Sequence, residues 1–229
     1  MLSQNLIFDA DDTLWENNVY YEAAIEGLID LVDHPSLTRQ QVRDVIDETE
    51  RENIRRRGYG AEVFEDSLLN ALCALRGSDT PDAAEVEKIA ALCAGVHDME
   101  MVLISGVEST LERLSARHRL FLLTKGCEKE QLRKVEKSGL AGYFVEAVVV
   151  PEKDVSAYRS FATARNLPVE HTWMIGNSLR SDINPALACG LGAVFVPHPM
   201  TWSLEADRVP DPSPRFLTVP RFGALGDHF

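Results

Sequence analysis

Basic residues are scarce in this chain: 23 Lys and Arg stand against 36 Asp and Glu, a formal net charge of -13. Nucleic acid and anionic membrane both require a basic surface, so neither is expected as a partner. A phosphorylated small molecule is not excluded, because a bound cation and a few lysines can reverse the sign within one cleft. Cysteine is sparse too. Cys73, Cys93, Cys127 and Cys189 form no CxxC pair, and three of them fall in segments that read as helices, where buried free thiols are common. A reduced, cytoplasmic protein is the expectation. No stretch of about 20 apolar residues could span a bilayer, and no basic region leads into a long apolar run near Met1, so neither a membrane span nor a signal peptide is expected. Internal repeats and low-complexity tracts are absent. What the chain does have is 229 residues, 45% of them hydrophobic, which is enough to bury a proper core.

The stretch that organises the rest is Leu6-Ile7-Phe8-Asp9-Ala10-Asp11-Asp12-Thr13-Leu14, a short apolar run ending in three carboxylates. In an extended chain residues i and i+2 point the same way, so Asp9 and Asp11 should project together from a strand end. Two carboxylates about 4 Å apart repel by about 4 kcal/mol at an effective dielectric of about 20. Something cationic should therefore sit beside them, or one should keep a proton.

From Asn17 to Asp98 the pattern is helical. Asn17 or Asn18 can cap a first helix, which Pro35 stops. Thr38 with Gln41 forms a capping box for a very polar second helix ending at Gly58. A third helix covers Ala61 to Arg76, and Thr80-Pro81 opens a fourth that runs to about His97. Beyond Met99 strands and helices alternate. Strands are expected at 119–124, 144–150, 172–175 and 193–196, with one more edge strand at 215–219. Buried apolar strands alternating with helices indicate a parallel sheet covered on both faces. The expected organisation is a Rossmann-like α/β core from 1–16 and 99–229, with a four-helix cap, 17–98, inserted after the first strand. Such a module would stand over the carboxyl ends of the strands, where open α/β sheets bind ligands.

Polar groups gather at those ends. The first strand delivers Asp9 and Asp11, and the second Thr124, followed by Lys125 and Gly126. The third is followed by Pro151-Glu152-Lys153, and the fourth by Gly176-Asn177-Ser178, with Asp182 further on. Carboxylates, a hydroxyl and an ammonium are what a site for Mg²⁺ and a phosphate needs. Four ordered motifs, Asp9-Ala10-Asp11-Asp12-Thr13-Leu14, Leu123-Thr124, Lys153 and Gly176-Asn177-Ser178-Leu179-Arg180-Ser181-Asp182, resemble those of the haloacid dehalogenase-like hydrolases. The helical insert resembles that family's helical cap.

The resemblance implies the following roles. Asp9 is the nucleophile, forming an aspartyl-phosphate, and Asp11 is the general acid and then the base. Thr124 bonds a phosphoryl oxygen, while Lys153 neutralises phosphate charge and restrains Asp9. Mg²⁺ is held by the Asp9 carboxylate, the Asp11 backbone carbonyl and a ligand from the fourth motif. Many relatives have an acid where this chain has Asn177, so Asp182 is expected as the main ligand, with Asn177 close by or bound through water. Asp11 favours phosphate esters over carbon–halogen bonds, because the dehalogenases lack an acid there. The implied activity is hydrolysis of a small phosphorylated metabolite. A phosphomutase of the same fold, or a weak or inactive member acting as a binding protein, is the alternative.

Other residues are set aside on physical grounds. Asp12 reads as a turn or capping residue rather than a third catalytic acid. Lys125 would point away from its neighbour Thr124, so Lys153 is preferred for the phosphate. The Arg51, Arg55, Arg56, Arg57 group reads as a solvated helix face. Tyr20 reads as helix packing, and His198 as a loop histidine.

Overall fold

The computed structural model describes Ser3–Phe229. The expected core segment 1–16 begins with Met1 and Leu2, which lie outside the described residues. The chain divides into two compact units, one made of the chain up to Asn18 together with Met101–Phe229, the other Val19–Glu100.

The first unit is built on a parallel sheet. Its strands are β1 (Asn5–Phe8), β2 (Arg119–Lys125), β3 (Glu146–Val150), β4 (Thr172–Gly176), β5 (Gly192–Phe195) and β6 (Phe216–Thr218). They lie in the order β3-β2-β1-β4-β5-β6, every pair parallel. β6 is the edge strand expected near 215–219. β1 occupies an interior position because Leu6, Ile7 and Phe8 bury completely and tolerate helices on both faces. In register, Ile7 lies beside Phe121 and Met174, and this row packs with Tyr158 and Phe161 of the helix Val155–Ala164. On the other face Phe8 meets Phe144 and Phe222, with ring centroids 6.0 and 5.8 Å away. The strand order reverses at β1, with β2 on one side and β4 on the other, so the crevice at their carboxyl ends is where an open α/β sheet takes a ligand.

The second unit holds most of α1 (Asn18–Val32) and all of α2 (Arg39–Arg57), α3 (Ala61–Arg76) and α4 (Ala83–His97). Its core is a stripe of Leu28, Ile46, Phe64, Leu68, Leu72 and Ile89 with their neighbours. The Thr38–Gln41 capping box forms as expected. Two local readings are corrected. α4 is capped by Asp82 in a box with Glu85, two residues beyond Thr80, because a carboxylate with an acid three residues on satisfies more orphan amides than Thr80 can. Asn17 Oδ1, expected as a cap of α1, accepts instead from Lys134 Nζ at 2.7 Å, and Asn18 Nδ2 donates to the Met200 carbonyl at 2.7 Å. The Asp12 carboxylate takes that place, accepting from the backbone N–H groups of Asn17 at 2.9 Å and Asn18 at 3.0 Å. Among the described residues no helix is long and apolar enough to cross a membrane.

Candidate active site

β1 ends at Phe8, and the chain turns at once. Asp12 adopts φ 58°, a left-handed conformation that Asp tolerates better than most residues. The turn is closed by Asp12 N–H donating to the Trp15 carbonyl at 2.8 Å. This bend corrects the expectation that Asp9 and Asp11 project together as in a strand. Each carboxylate takes a different partner, and each finds its own lysine.

Asp9 lies at the centre of the crevice. Its N–H continues the ladder to Ile175 O of β4 at 2.9 Å. Lys153 Nζ donates to Asp9 Oδ1 and to Asp182 Oδ1, both at 2.5 Å, and all three residues are buried. The Leu123 carbonyl, beside the buried Thr124, lies 3.5 Å from the same ammonium. On its other oxygen Asp9 accepts from the Thr13 hydroxyl at 2.9 Å, and that hydroxyl also lies 3.2 Å from Asn177 Oδ1. The expected Asp9, Lys153, Asn177 and Asp182 are thus brought together, and Thr124 stands at the end of the strand that flanks them.

One lysine cannot neutralise two buried carboxylates. Burial works against the Lys153 ammonium, yet the charges of Asp182 and Asp9 outweigh it and keep it protonated. Burial, reinforced by Asp9, pushes the Asp182 carboxyl up to about 7, despite the bonds from Lys153 and the Ser178 N–H. The charge that one ammonium leaves over is met by a proton on Asp182 or by a further cation. The donors also suit a hard divalent ion: two carboxylates and an amide oxygen, as Mg²⁺ prefers. Asn177 has the right orientation, since its Nδ2 is spent on Thr201 Oγ1 at 3.1 Å and its Oδ1 faces Thr13. Gly176 makes room for this cluster: a Cβ there would fall 2.2 Å from Asp182 Oδ2.

Asp11 is held apart by three donors. Lys134 Nζ reaches both its oxygens at 2.9 and 2.8 Å, Gln131 Nε2 donates at 2.9 Å, and the fully buried Trp15 donates through Nε1 at 2.7 Å. Burial opposes ionisation, but these contacts outweigh it and hold the carboxyl below its ordinary range. Lys134 and Gln131, both on the helix Glu128–Lys137, escaped the sequence reading. Their spacing of three places them on one helical face beside the end of β2, a signal visible only once a second cation had been sought.

Lys125 turns away from this cluster, as expected, and pairs with Glu205 while its Nζ lies 3.0 Å from Ser181 Oγ. Asp12 is a cap, and burial pushes its carboxyl up to about 7. His198 is more than a loop residue. Its Nε2 lies 3.2 Å from Glu16 and its Nδ1 3.9 Å from Asp12, which ties the loop after β5 to the turn after β1.

Comparison with known proteins identifies the family. The family of haloacid dehalogenase-like hydrolases matches residues 6–196, which is most of the chain. The chain therefore belongs to the haloacid dehalogenase-like hydrolases, and the expected Rossmann-like α/β fold is the one observed. No curated protein matches it in sequence. Among solved structures, a haloacid dehalogenase-like family hydrolase from Xanthomonas campestris is 28% identical, with a TM-score of 0.83, covering 99% of this chain and 94% of its own. YfnB of Bacillus subtilis, in a structure bound to magnesium, is 20% identical with a TM-score of 0.67 and coverage of 100% and 99%. The L-2-haloacid dehalogenase of Xanthobacter autotrophicus is 15% identical with a TM-score of 0.65 and coverage of 99% and 98%. The last two likenesses are of fold alone.

Proposed function

We propose that this hydrolase cleaves small phosphomonoesters with Mg²⁺ as cofactor, through an aspartyl-phosphate on Asp9. The observation that carries the reading is the buried Lys153 ammonium shared by Asp9 and Asp182, with Asn177 Oδ1 alongside. This arrangement restrains the nucleophile and presents a cation to an incoming phosphoryl group. Phosphoryl transfer asks little covalent work of the protein, so positioning and charge neutralisation dominate. Asp9 and Asp182 would hold the Mg²⁺, with Asn177 beside them and the Asp11 carbonyl added by family resemblance. When bound, the ion supplies charge to the phosphoryl oxygens.

Asp9 attacks phosphorus in line, and the leaving oxygen departs with a proton. Asp11 is the nearby acid–base group. Lys134 and its companions hold it ionised, which is the form that draws a proton from water when the aspartyl-phosphate is hydrolysed. To donate in the first step it must leave Lys134 and first take up a proton from solvent; the proton it gives the leaving oxygen is then regained from the attacking water. A carboxylate at this position also favours phosphate esters over carbon–halogen bonds, where no such group is needed. The helical unit Val19–Glu100 serves as the family's cap, selecting among phosphorylated metabolites.

The test is Mg²⁺-dependent turnover of p-nitrophenyl phosphate, followed by a phosphometabolite screen with Asp9→Asn as the blank. Asp9→Asn abolishes turnover. Retained activity in that variant would remove the nucleophile assignment, and halide release from a haloacid without phosphate turnover would replace the reaction.

A further inference from the structure

The loop after β5 was silent in the sequence, yet it supports the turn that carries Asn177 and Asp182. Thr201 Oγ1 donates to the His198 carbonyl at 2.9 Å and accepts from Asn177 Nδ2 at 3.1 Å. Because the Thr201 hydroxyl proton is already committed, Asn177 can only offer it an N–H. That choice favours the orientation in which the amide oxygen faces Thr13, whose single proton it shares with Asp9 Oδ2. Four residues on, the buried Glu205 accepts from Ser178 Oγ. Ser178 Oγ in turn accepts from Ser181 N–H at 2.8 Å, while Ser178 N–H donates to Asp182 Oδ2 at 2.9 Å. Lys125 pairs with the same Glu205 and, with the bonds from Ser178 and Ser181, keeps it ionised against the pull of burial. Arg180 Nη1 also donates to the Leu204 carbonyl at 3.2 Å. One short segment therefore grips residues 177, 178, 180 and 181 without entering the cluster itself.

We propose that Thr201 and Glu205 are positioning residues for divalent-cation binding: Thr201 orients the Asn177 amide with its oxygen toward Thr13, which also bonds Asp9, and Glu205 fixes the turn that delivers Asp182. The inference rests on the Mg²⁺ reading above and goes beyond it, because it assigns metal affinity to side chains that never touch the metal. The physical argument is a choice between two nearly isosteric amide orientations. With Thr201 in place, flipping Asn177 sets its oxygen against a hydroxyl whose proton is spent on His198 and withdraws that oxygen from the place a cation would take. Without it, the preference falls by the worth of about one net hydrogen bond.

The experiment measures Mg²⁺ affinity of the full chain directly by titration calorimetry, alongside melting in EDTA. Thr201→Val keeps the shape and removes both hydrogen bonds. It is expected to weaken Mg²⁺ binding about fivefold, the factor that one net hydrogen bond supports. Thr201→Ser restores affinity to within about twofold of the parent, since the hydroxyl alone orients the amide. Glu205→Gln weakens binding as well. Should Glu205→Gln fail to fold, the two Thr201 variants decide. A role in stability alone lowers melting in EDTA and leaves the Mg²⁺ dissociation constant of Thr201→Val unchanged, and that result overturns the proposal. If the parent protein takes up no Mg²⁺ at all, the metal reading itself falls and the inference with it. Parental binding with an unaffected Thr201→Val sinks only the inference.

Discussion

Replacing Lys153 with methionine keeps most of the stem's packing and deletes the ammonium that bridges Asp9 and Asp182 at 2.5 Å to each. Breaking a buried ion pair by removing one partner costs about 3–5 kcal/mol, because an uncompensated charge stays behind. Here the cost depends on pH, and its direction follows from Asp182. Its carboxyl rises from 3.8 to about 7 on folding, so between those values the folded state binds the extra proton and stability declines as pH rises. Lys153 adds no slope in that window. Its own raised value leaves it charged in both states below its ordinary range. Once Lys153 is gone, the attraction that restrained the Asp182 value goes with it, and the declining limb extends above pH 7. The loss should therefore reach about 3–5 kcal/mol near pH 8.5. Near pH 5.5, where Asp182 carries its proton and can donate it to Asp9, only the Asp9 charge is left without its ammonium, and the loss should shrink to about 2–3 kcal/mol. Urea unfolding in EDTA, followed by tryptophan fluorescence at the two pH values, measures both numbers. A loss that is equal at the two values, or greater at pH 5.5, would refute the account of two acids sharing one lysine.

Further substitutions probe other parts of the site. Gly176→Ala places a Cβ 2.2 Å from Asp182 Oδ2 and 2.4 Å from its Cγ, so the carboxylate must move off Lys153. About 1–3 kcal/mol of stability and about 10²-fold in turnover should be lost, checked by denaturation and steady-state kinetics. Asp12→Asn removes a buried carboxyl whose value stands near 7 while keeping a residue that tolerates φ 58°. The ionisation cost is at most about 4 kcal/mol, and weaker capping returns about 1.5–3 of it. A net gain of about 1–2 kcal/mol is expected at pH 8, shrinking as pH falls through about 7 and gone by about pH 3, below both values, where the acid is protonated in both states; lower melting at pH 8 in EDTA would count against it. Asn177→Asp adds a charge to the donor set and should tighten Mg²⁺ about tenfold, since carboxylate count tunes divalent affinity. An unchanged Mg²⁺ activation curve would place Asn177 outside the shell.

Much of this was legible in the linear chain because it depends on local rules. Apolar runs such as Leu6-Ile7-Phe8, bounded by polar turns, read as buried strands, and a helical period with Gly58 and Gly77 at its ends reads as helices with glycine stops. The acids and Lys153 follow strands, and parallel strands present their carboxyl ends to one edge, so Asp9, Lys153 and Asp182 had to approach one another. What the chain could not disclose is which partner each group takes when several lie within reach. Lys134 and Lys125 carry the same charge on similar stems near the end of β2, yet one binds Asp11 and the other Glu205. That outcome turns on a helix face, on the sharp bend at Asp12, and on the path of the loop after β5. Thr201 and Glu205 lie in a proline-rich stretch with no periodicity, so their hold on Asn177 and Ser178 arises only from packing across the sheet edge. Periodicity reports which groups are buried or brought to an edge; the hydrogen bonds they then choose are decided by distances of about an ångström, which only the folded chain sets.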